Sequence, residues 1–365
     1  MKHNWEYKRL GDICELYQPK TIAASELIEE GEYDVFGANG IIGKYSSYNH
    51  EFSEILLTCR GATCGTINIS NPKSWINGNA MVIHSKSSEL SFAYLKYAMT
   101  SLDYSNVITG AAQPQITRQS LAPTTIPVPP MEVQEQIVAE LDKINETIED
   151  CRELLRNLDA LAQSLFYDYF GDPITNPKGW EVKKLVDICK AISTGITYKP
   201  ENVANTGTIV LRSSNIQNSA FVLNDIVRIN MLLKPSQYVK KNDILMCSRN
   251  GSARLVGKVA LIPEINENMS WGAFMTIIRS DFHHFLFQYF HLPAFRGQLT
   301  KTKTTTVNQI TIGMLKQIQL PVPPLELQEK FAERIEAIEE QKKAVEQTIA
   351  ELQTLLDSRM DYWFN

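Results

Sequence analysis

The sequence predicts an α+β protein: two mixed α/β domains separated by a long antiparallel two-helix coiled coil. Its 365 residues exceed one ordinary domain and suit two. A segment near the start returns in the second half, and each half closes on a long heptad pattern.

Trp5-Glu6-Tyr7-Lys8-Arg9-Leu10-Gly11-Asp12-Ile13-Cys14 returns 175 positions later as Trp180-Glu181-Val182-Lys183-Lys184-Leu185-Val186-Asp187-Ile188-Cys189. Gln115-Ile116-Thr117 matches Gln309-Ile310-Thr311 at a separation of 194. Pro127-Val128-Pro129-Pro130 with Gln134-Glu135 matches Pro321-Val322-Pro323-Pro324 with Gln328-Glu329 at the same separation. The second copy thus carries about nineteen extra residues between these anchors. Two halves follow, alike at their edges and different in their middles, with a first head over 1–126, a helix over 127–170, a second head over 171–320 and a helix over 321–365.

In the first head, residues 54–59 and 81–83 are short β-type runs bounded by Gly, Asn or Ser, and 92–99 is a short helical stretch. Pro130 suits a first helical turn, where its fixed φ is already helical and its missing N–H is not needed. From there apolar residues recur at Ile137, Leu141, Ile144, Ile148, Cys151, Leu155, Leu158, Ala162 and Leu165, a strict 4-3 alternation. The breakers Gly171, Pro173, Pro177 and Gly179 end that helix and open the second head. Residues 208–211, 243–247 and 256–261 are its β-type runs, and 282–290 is helical. The second heptad seam runs Phe331, Ile335, Ile338, Lys342, Val345, Ile349, Leu352, Leu356 and Arg359. Each helix, at roughly 37 residues, is about 55 Å long. A lone amphipathic helix of that length leaves its stripe in water, so the two stripes should pair. Lys342 within the seam either fixes the register or snorkels at its edge.

Composition bounds the function. The apolar fraction of 44% and charged fraction of 21% are those of a folded globular protein, not of a fibre or a disordered chain. No apolar run is long enough to cross a bilayer and the start has no apolar signal core, so a cytoplasmic protein without a membrane partner is expected. Cys14, Cys59, Cys64, Cys151, Cys189 and Cys247 form no C-x-x-C pair and are expected reduced and mostly packed. The net charge of −5 is unevenly distributed: −2 over 1–120, −8 over 121–175, +10 over 176–317 and −5 over 318–365. The acidity belongs to the helices, and the second head has the electrostatic footprint of a phosphate binder. The first head can bind DNA only if Lys44, Arg60, Lys73, Lys86, Lys96 and Arg118 gather on one face.

Catalytic signals are weak. Gly37 to Gly43-Lys44-Tyr45 is one residue too long for a phosphate-binding loop and lacks the Ser or Thr that holds magnesium. Asp172 with Glu181 and Lys183 resembles an acidic magnesium-nuclease site, but Glu6-Tyr7-Lys8 repeats the Glu-x-Lys part without a matching aspartate. His283, His284 and His291 lie on a helix and read as packing or surface groups. No cofactor and no metal ligand set is expected.

The order of these pieces resembles the specificity subunit of type I restriction-modification enzymes over essentially the whole chain. The pieces are Val35-Phe36-Gly37-Ala38-Asn39-Gly40-Ile41-Ile42-Gly43, Leu56-Leu57-Thr58-Cys59-Arg60-Gly61, Gln113-Pro114-Gln115-Ile116-Thr117 and Ile126-Pro127-Val128-Pro129-Pro130, with second-copy partners Leu211-Arg212-Ser213-Ser214-Asn215-Ile216 and 320–324. The resemblance implies two target-recognition domains, each reading one half of a split, asymmetric site on double-stranded DNA. It further implies two helices that set the spacing and dock two methyltransferase subunits, with nuclease subunits in the larger complex. The chain itself would perform no chemistry, and the methyltransferase would flip an adenine from the stack.

Base reading requires Arg, Lys, Asn, Gln or Ser side chains at groove edges. The second-head candidates are Arg212, Ser213, Asn215, Arg249, Asn250, Arg254, Lys258, Lys301 and Lys303, the last two in a polar loop suited to phosphate contact. The first-head candidates are Asn39, Lys44, Arg60, Lys73 and Asn79. Arg60 and Arg249 occupy similar places, after a strand and before a glycine. A stand-alone magnesium-dependent nuclease and a coiled-coil scaffold that binds only proteins remain the alternatives; the charge of the second head speaks against the scaffold.

Overall fold

A computed structural model of the chain describes residues 5–110, 113–301 and 308–365. The protein is mixed helix and sheet and forms two compact units, Met1–Arg152 with Glu346–Asn365, and Glu153–Val345. The two long helices, Met131–Phe170 and Leu325–Phe364, each have 40 residues and contribute to both units. They are slightly longer than the heptad count suggests, about 60 Å each.

In unit 1 a four-stranded antiparallel sheet runs in the order Cys14–Tyr17, Ala80–Ser85, Ile55–Thr58, Ile67–Ile69. Unit 2 contains the same sheet as Ala191–Thr194, Met275–Arg279, Ile244–Cys247, Val259–Leu261. The register is also the same: Ile55 faces Ile83 and Thr58 faces Ala80, while Ile244 faces Ile278 and Cys247 faces Met275. A smaller sheet accompanies each, with one parallel pairing at its edge, Tyr33–Gly37 to Trp75–Ile76 in unit 1 and Thr208–Leu211 to Met269–Trp271 in unit 2.

The repeat therefore continues through the middles, where the sequence shows no similarity. The physical reason is burial: Ile55–Thr58 and Ile244–Cys247 are buried at every position, and such a strand demands apolar bulk rather than particular residues. Of the run 256–261 only Val259–Leu261 is strand, because Ala253–Leu255 form a tight helical turn and Gly257 takes φ +84°. The repeated edges form ribbons that sequence reasoning does not assign: Glu6–Arg9 pairs with Thr125–Val128, and Glu181–Lys184 with Gln319–Val322. Each ribbon has only two strands, so Pro127 and Pro321 interrupt no interior ladder.

The repeated Pro-Pro and Gln pieces fasten each head to its helix. Gln134 is fully buried and donates to the carbonyls of Pro129 at 2.9 Å and Glu89 at 2.6 Å, while its own carbonyl accepts from the Ser91 N–H at 3.0 Å. Gln328 repeats the first of these bonds, to the Pro323 carbonyl at 2.7 Å.

The heptad residues are the less exposed positions of both helices. Ile137, Leu141, Ile144 and Ile148 are buried in unit 1, and Leu158, Ala162, Phe331, Ile335 and Ile338 in unit 2. Cys151, Leu155, Val345, Ile349, Leu352 and Leu356 are half-buried. Within unit 2 the segments run antiparallel: Phe331 lies 4.7 Å from the Phe170 ring, and the Lys342 ammonium 2.9 Å from Asp159. Lys342 therefore does not snorkel: its side chain is only 15% exposed and ion-paired to Asp159 across the seam. Burial pulls its ammonium pKa down, but Asp159 and Glu339 more than restore it, so the net shift is upward. In unit 1 Arg359 forks onto the Glu140 carboxylate, the second bond at 3.0 Å, and Trp363 donates to the same group at 2.9 Å. Among the described residues no helix is long and apolar enough to cross a membrane.

Candidate nucleic-acid interface

Strand ends project the side chains that a flat sheet would otherwise bury, and the end of the repeated sheet gathers about half of the sequence candidates. In unit 2 the strand Ile244–Cys247 leaves the sheet through Ser248, Arg249 and Asn250. Arg249 is held in place by a bridge to Gln309, by its N–H donating to the Phe274 carbonyl at 3.0 Å, and by its guanidinium 5.4 Å from the Phe274 ring.

A cleft of about 1150 Å³ opens here, lined by Arg212, Ser213, Ser214, Arg249, Asn250, Phe274 and Asn308 among others. Four sequence candidates, Arg212, Ser213, Arg249 and Asn250, therefore share one concave surface. Asn250 donates to the Ser213 hydroxyl at 3.1 Å. Arg212 forms an ion pair with Asp225, yet its Nε and the Ser214 hydroxyl are buried with no hydrogen-bond partner among the described residues. Unsatisfied donors at a cleft wall are costly in isolation and are what an incoming acceptor would satisfy.

Other second-head candidates have different roles. Asn215 is 1% exposed; its amide donates to the carbonyls of Val222 and Asn224, both at 3.0 Å, and accepts from the Arg212 N–H at 2.8 Å. It shapes the wall and cannot reach a base. Lys258 is turned inward onto the carbonyls of Ser213 and Ile216, and burial lowers its ammonium pKa. Both residues are corrected from ligand contacts to supports of the cleft, because their polar groups bond to backbone. Arg254 is exposed on the turn Ala253–Leu255, outside the cleft lining. Lys303 and the side chain of Lys301 lie outside the described residues.

In unit 1 the same sheet end carries Arg60, exposed and bridged to Gln115 as Arg249 is to Gln309. Asn79, the residue before Ala80–Ser85, is exposed, and its carbonyl accepts from the Cys59 thiol at 3.1 Å. Asn39, at the tip between Tyr33–Gly37 and Gly40–Tyr45, donates to the Thr63 hydroxyl at 2.7 Å and accepts from Thr58 at 3.1 Å. Its amide thus tethers the Arg60 loop. Lys44 and Lys73 make loose ion pairs with Asp34 and Glu51, each at 3.9 Å. Lys86 donates to the Gly11 carbonyl and Lys96 lies over the Tyr97 ring beside Asp142, so these two do not join Arg60. Sequence reasoning misses Thr63, Phe274 and Asn308, which only the hydrogen bonds, strand register and cleft lining of the fold identify.

Asp172, Glu181 and Lys183 have local partners. Asp172 accepts from the Ile174 N–H in a turn at 2.8 Å, and Glu181 is ion-paired with Lys183 at 3.0 Å. His284 pairs with Glu336 at 3.1 Å and His291 with the Ser219 hydroxyl at 2.9 Å. Among the described residues no three His, Cys, Asp or Glu side chains are grouped to hold a metal.

The family model described as type I restriction modification DNA specificity domain matches residues 2–158 and 177–354. The chain is 28% identical over 171 residues to the type I restriction enzyme EcoKI specificity subunit of Escherichia coli K12, covering 44% of this chain and 36% of that protein. It is 22% identical over 374 residues to the type I restriction enzyme MjaVIII specificity subunit of Methanocaldococcus jannaschii, covering 92% and 86%. The crystal structure of a type I restriction-modification system S subunit from M. genitalium shares the fold, with a TM-score of 0.57, 14% identity, and coverage of 99% of this chain and 96% of that one.

Proposed function

Since the chain belongs to the type I restriction-modification DNA specificity family, we propose that it is the non-catalytic, sequence-reading subunit of such an enzyme in the cytoplasm. Its heads, 1–126 and 171–320, act as two target-recognition domains, each reading one half of a bipartite, asymmetric duplex target. The helical segments 127–170 and 321–365 pair as an antiparallel coiled-coil spacer. Two methyltransferase subunits dock on that spacer, and nuclease subunits join the larger complex.

The observation that carries this reading is the matched sheet end. Arg60 and Arg249 leave equivalent strands at equivalent positions, each bridged to the glutamine of a repeated Gln-Ile-Thr piece, while their neighbours differ between heads. A common scaffold with different neighbours suits two half-sites of different sequence. Charge supports it, since 176–317 carries an excess of ten positive groups. Docking on the spacer is supported by Leu154 and Leu161 on one helix and Leu355 and Tyr362 on the other, exposed apolar residues that recur every seven positions beside the seam.

The test uses the assembled methyltransferase complex and sequencing of the sites it methylates. Wild type should yield two defined half-sites separated by an unread gap. Arg249→Ala should weaken binding about tenfold or more through the second half-site, leaving the first sequence unchanged. A complex that methylates without sequence preference would overturn the reading.

A further inference from the structure

The two heads share one arginine at the sheet end, Arg60 and Arg249, so its neighbours must make their half-sites differ. We propose that Phe274 and Asn79 are the specificity-determining residues: Phe274 selects a thymine methyl group beside the base pair contacted by Arg249, and Asn79 selects an adenine edge beside that contacted by Arg60. This rests on the DNA-reading function proposed above and names which side chains discriminate.

Strand register places the two residues in the same position. Cys247 faces Met275 and Thr58 faces Ala80; Phe274 and Asn79 are the residues immediately before Met275 and Ala80. Each is joined to the strand carrying the arginine, through its carbonyl. The Phe274 carbonyl accepts from the N–H groups of Ser248 and Arg249 at 2.9 and 3.0 Å, and that of Asn79 from the Cys59 thiol at 3.1 Å. Both backbones are fixed, and both side chains are left exposed.

Their chemistry is opposite. Phe274 is 59% exposed, a large apolar ring at a cleft wall and beneath the Arg249 guanidinium. Such exposure in water is unfavourable and is relieved by apolar contact. In the major groove the only apolar group on a base edge is the thymine methyl, whereas an asparagine amide matches the donor and acceptor of adenine. The arginine common to both heads suits guanine or phosphate and cannot itself distinguish them.

Duplexes carrying the enzyme's own methylation site are prepared with deoxyuridine replacing each thymidine of the second half-site in turn, and bound to the assembled complex. One replacement should weaken wild-type binding several-fold, and Phe274→Asn should be insensitive to it. Phe274→Leu, still apolar, should retain the sensitivity. Methylation sequencing of Phe274→Asn should show relaxed or altered preference at one position of the second half-site, and of Asn79→Phe at one position of the first only. Unchanged motifs in both variants, or equal weakening on all sequences, would overturn the assignment while leaving DNA reading intact. Loss of sequence preference already in the wild type would instead remove the function on which it rests.

Discussion

At single residues, the two heads keep the same architecture with different chemistry. Asp243, just before the strand Ile244–Cys247, is 1% exposed and takes a fork from Arg279, with both bonds at 2.6 Å. Its counterpart Glu54 lies before Ile55–Thr58 and contacts His84 at 3.0 Å. Burial raises the Glu54 carboxyl pKa, and the His84 contact opposes that shift. An acid-sensitive group sits in unit 2. Burial pushes the His283 imidazole down to about 4, with His284 adding to the effect, and burial also lowers His284 against the opposing charge of Glu336. Between the ordinary value of 6.5 and about 4 the unfolded chain therefore binds more protons than the folded one. Stability is complete above that window and declines as pH falls through it. Denaturant midpoints of the full chain should drop from pH 7.5 to pH 5, and His283→Gln should flatten the slope; an identical slope would exclude the histidine. Residue type and spacing predict candidates but not partners: Arg212, Ser213, Arg249 and Asn250 converge on one cleft, while Asn215 and Lys258 are engaged by backbone carbonyls that no sequence pattern reveals.

At the scale of elements, the long helices are legible because a heptad seam imposes a period that survives substitution, and its positions are the less exposed ones. Short buried strands are not, because Ile55–Thr58 and Ile244–Cys247 satisfy the same demand for apolar bulk with different residues. The edge ribbons are missed for the opposite reason: Pro127 and Pro321 argue against a strand unless its pairing is known to be a two-stranded edge. Lys342 interrupts a mostly apolar seam and is paired with Asp159 and Glu339. Replacing a buried ion pair by apolar packing is neutral or stabilising by about 1–4 kcal/mol, while removing one partner is destabilising. Because Asp159 and Glu339 remain 66% and 38% exposed, Lys342→Leu strands neither carboxylate in the interior and should leave the thermal midpoint unchanged or raise it. A clear fall would mean that the ion pair, rather than the seam, holds this stretch together.

For the whole molecule, net charge misleads and its distribution informs. An acidic chain conceals a second head with ten excess positive charges, because the two long helices carry 20 acidic against 8 basic residues. Two heads of one fold, with different side chains at matching positions, suit the proposed target read in two unlike parts, and under that proposal the helical spacer sets the unread distance. The most direct test removes one heptad from each helix, choosing residues that keep the seam in phase, and maps the methylated sites of the assembled complex. Seven residues shorten a helix by about 10 Å, close to three base pairs of duplex. The expected outcome is the same two half-sites with a gap shorter by about that amount; a complex that methylates the same half-sites across an unchanged gap would contradict the account.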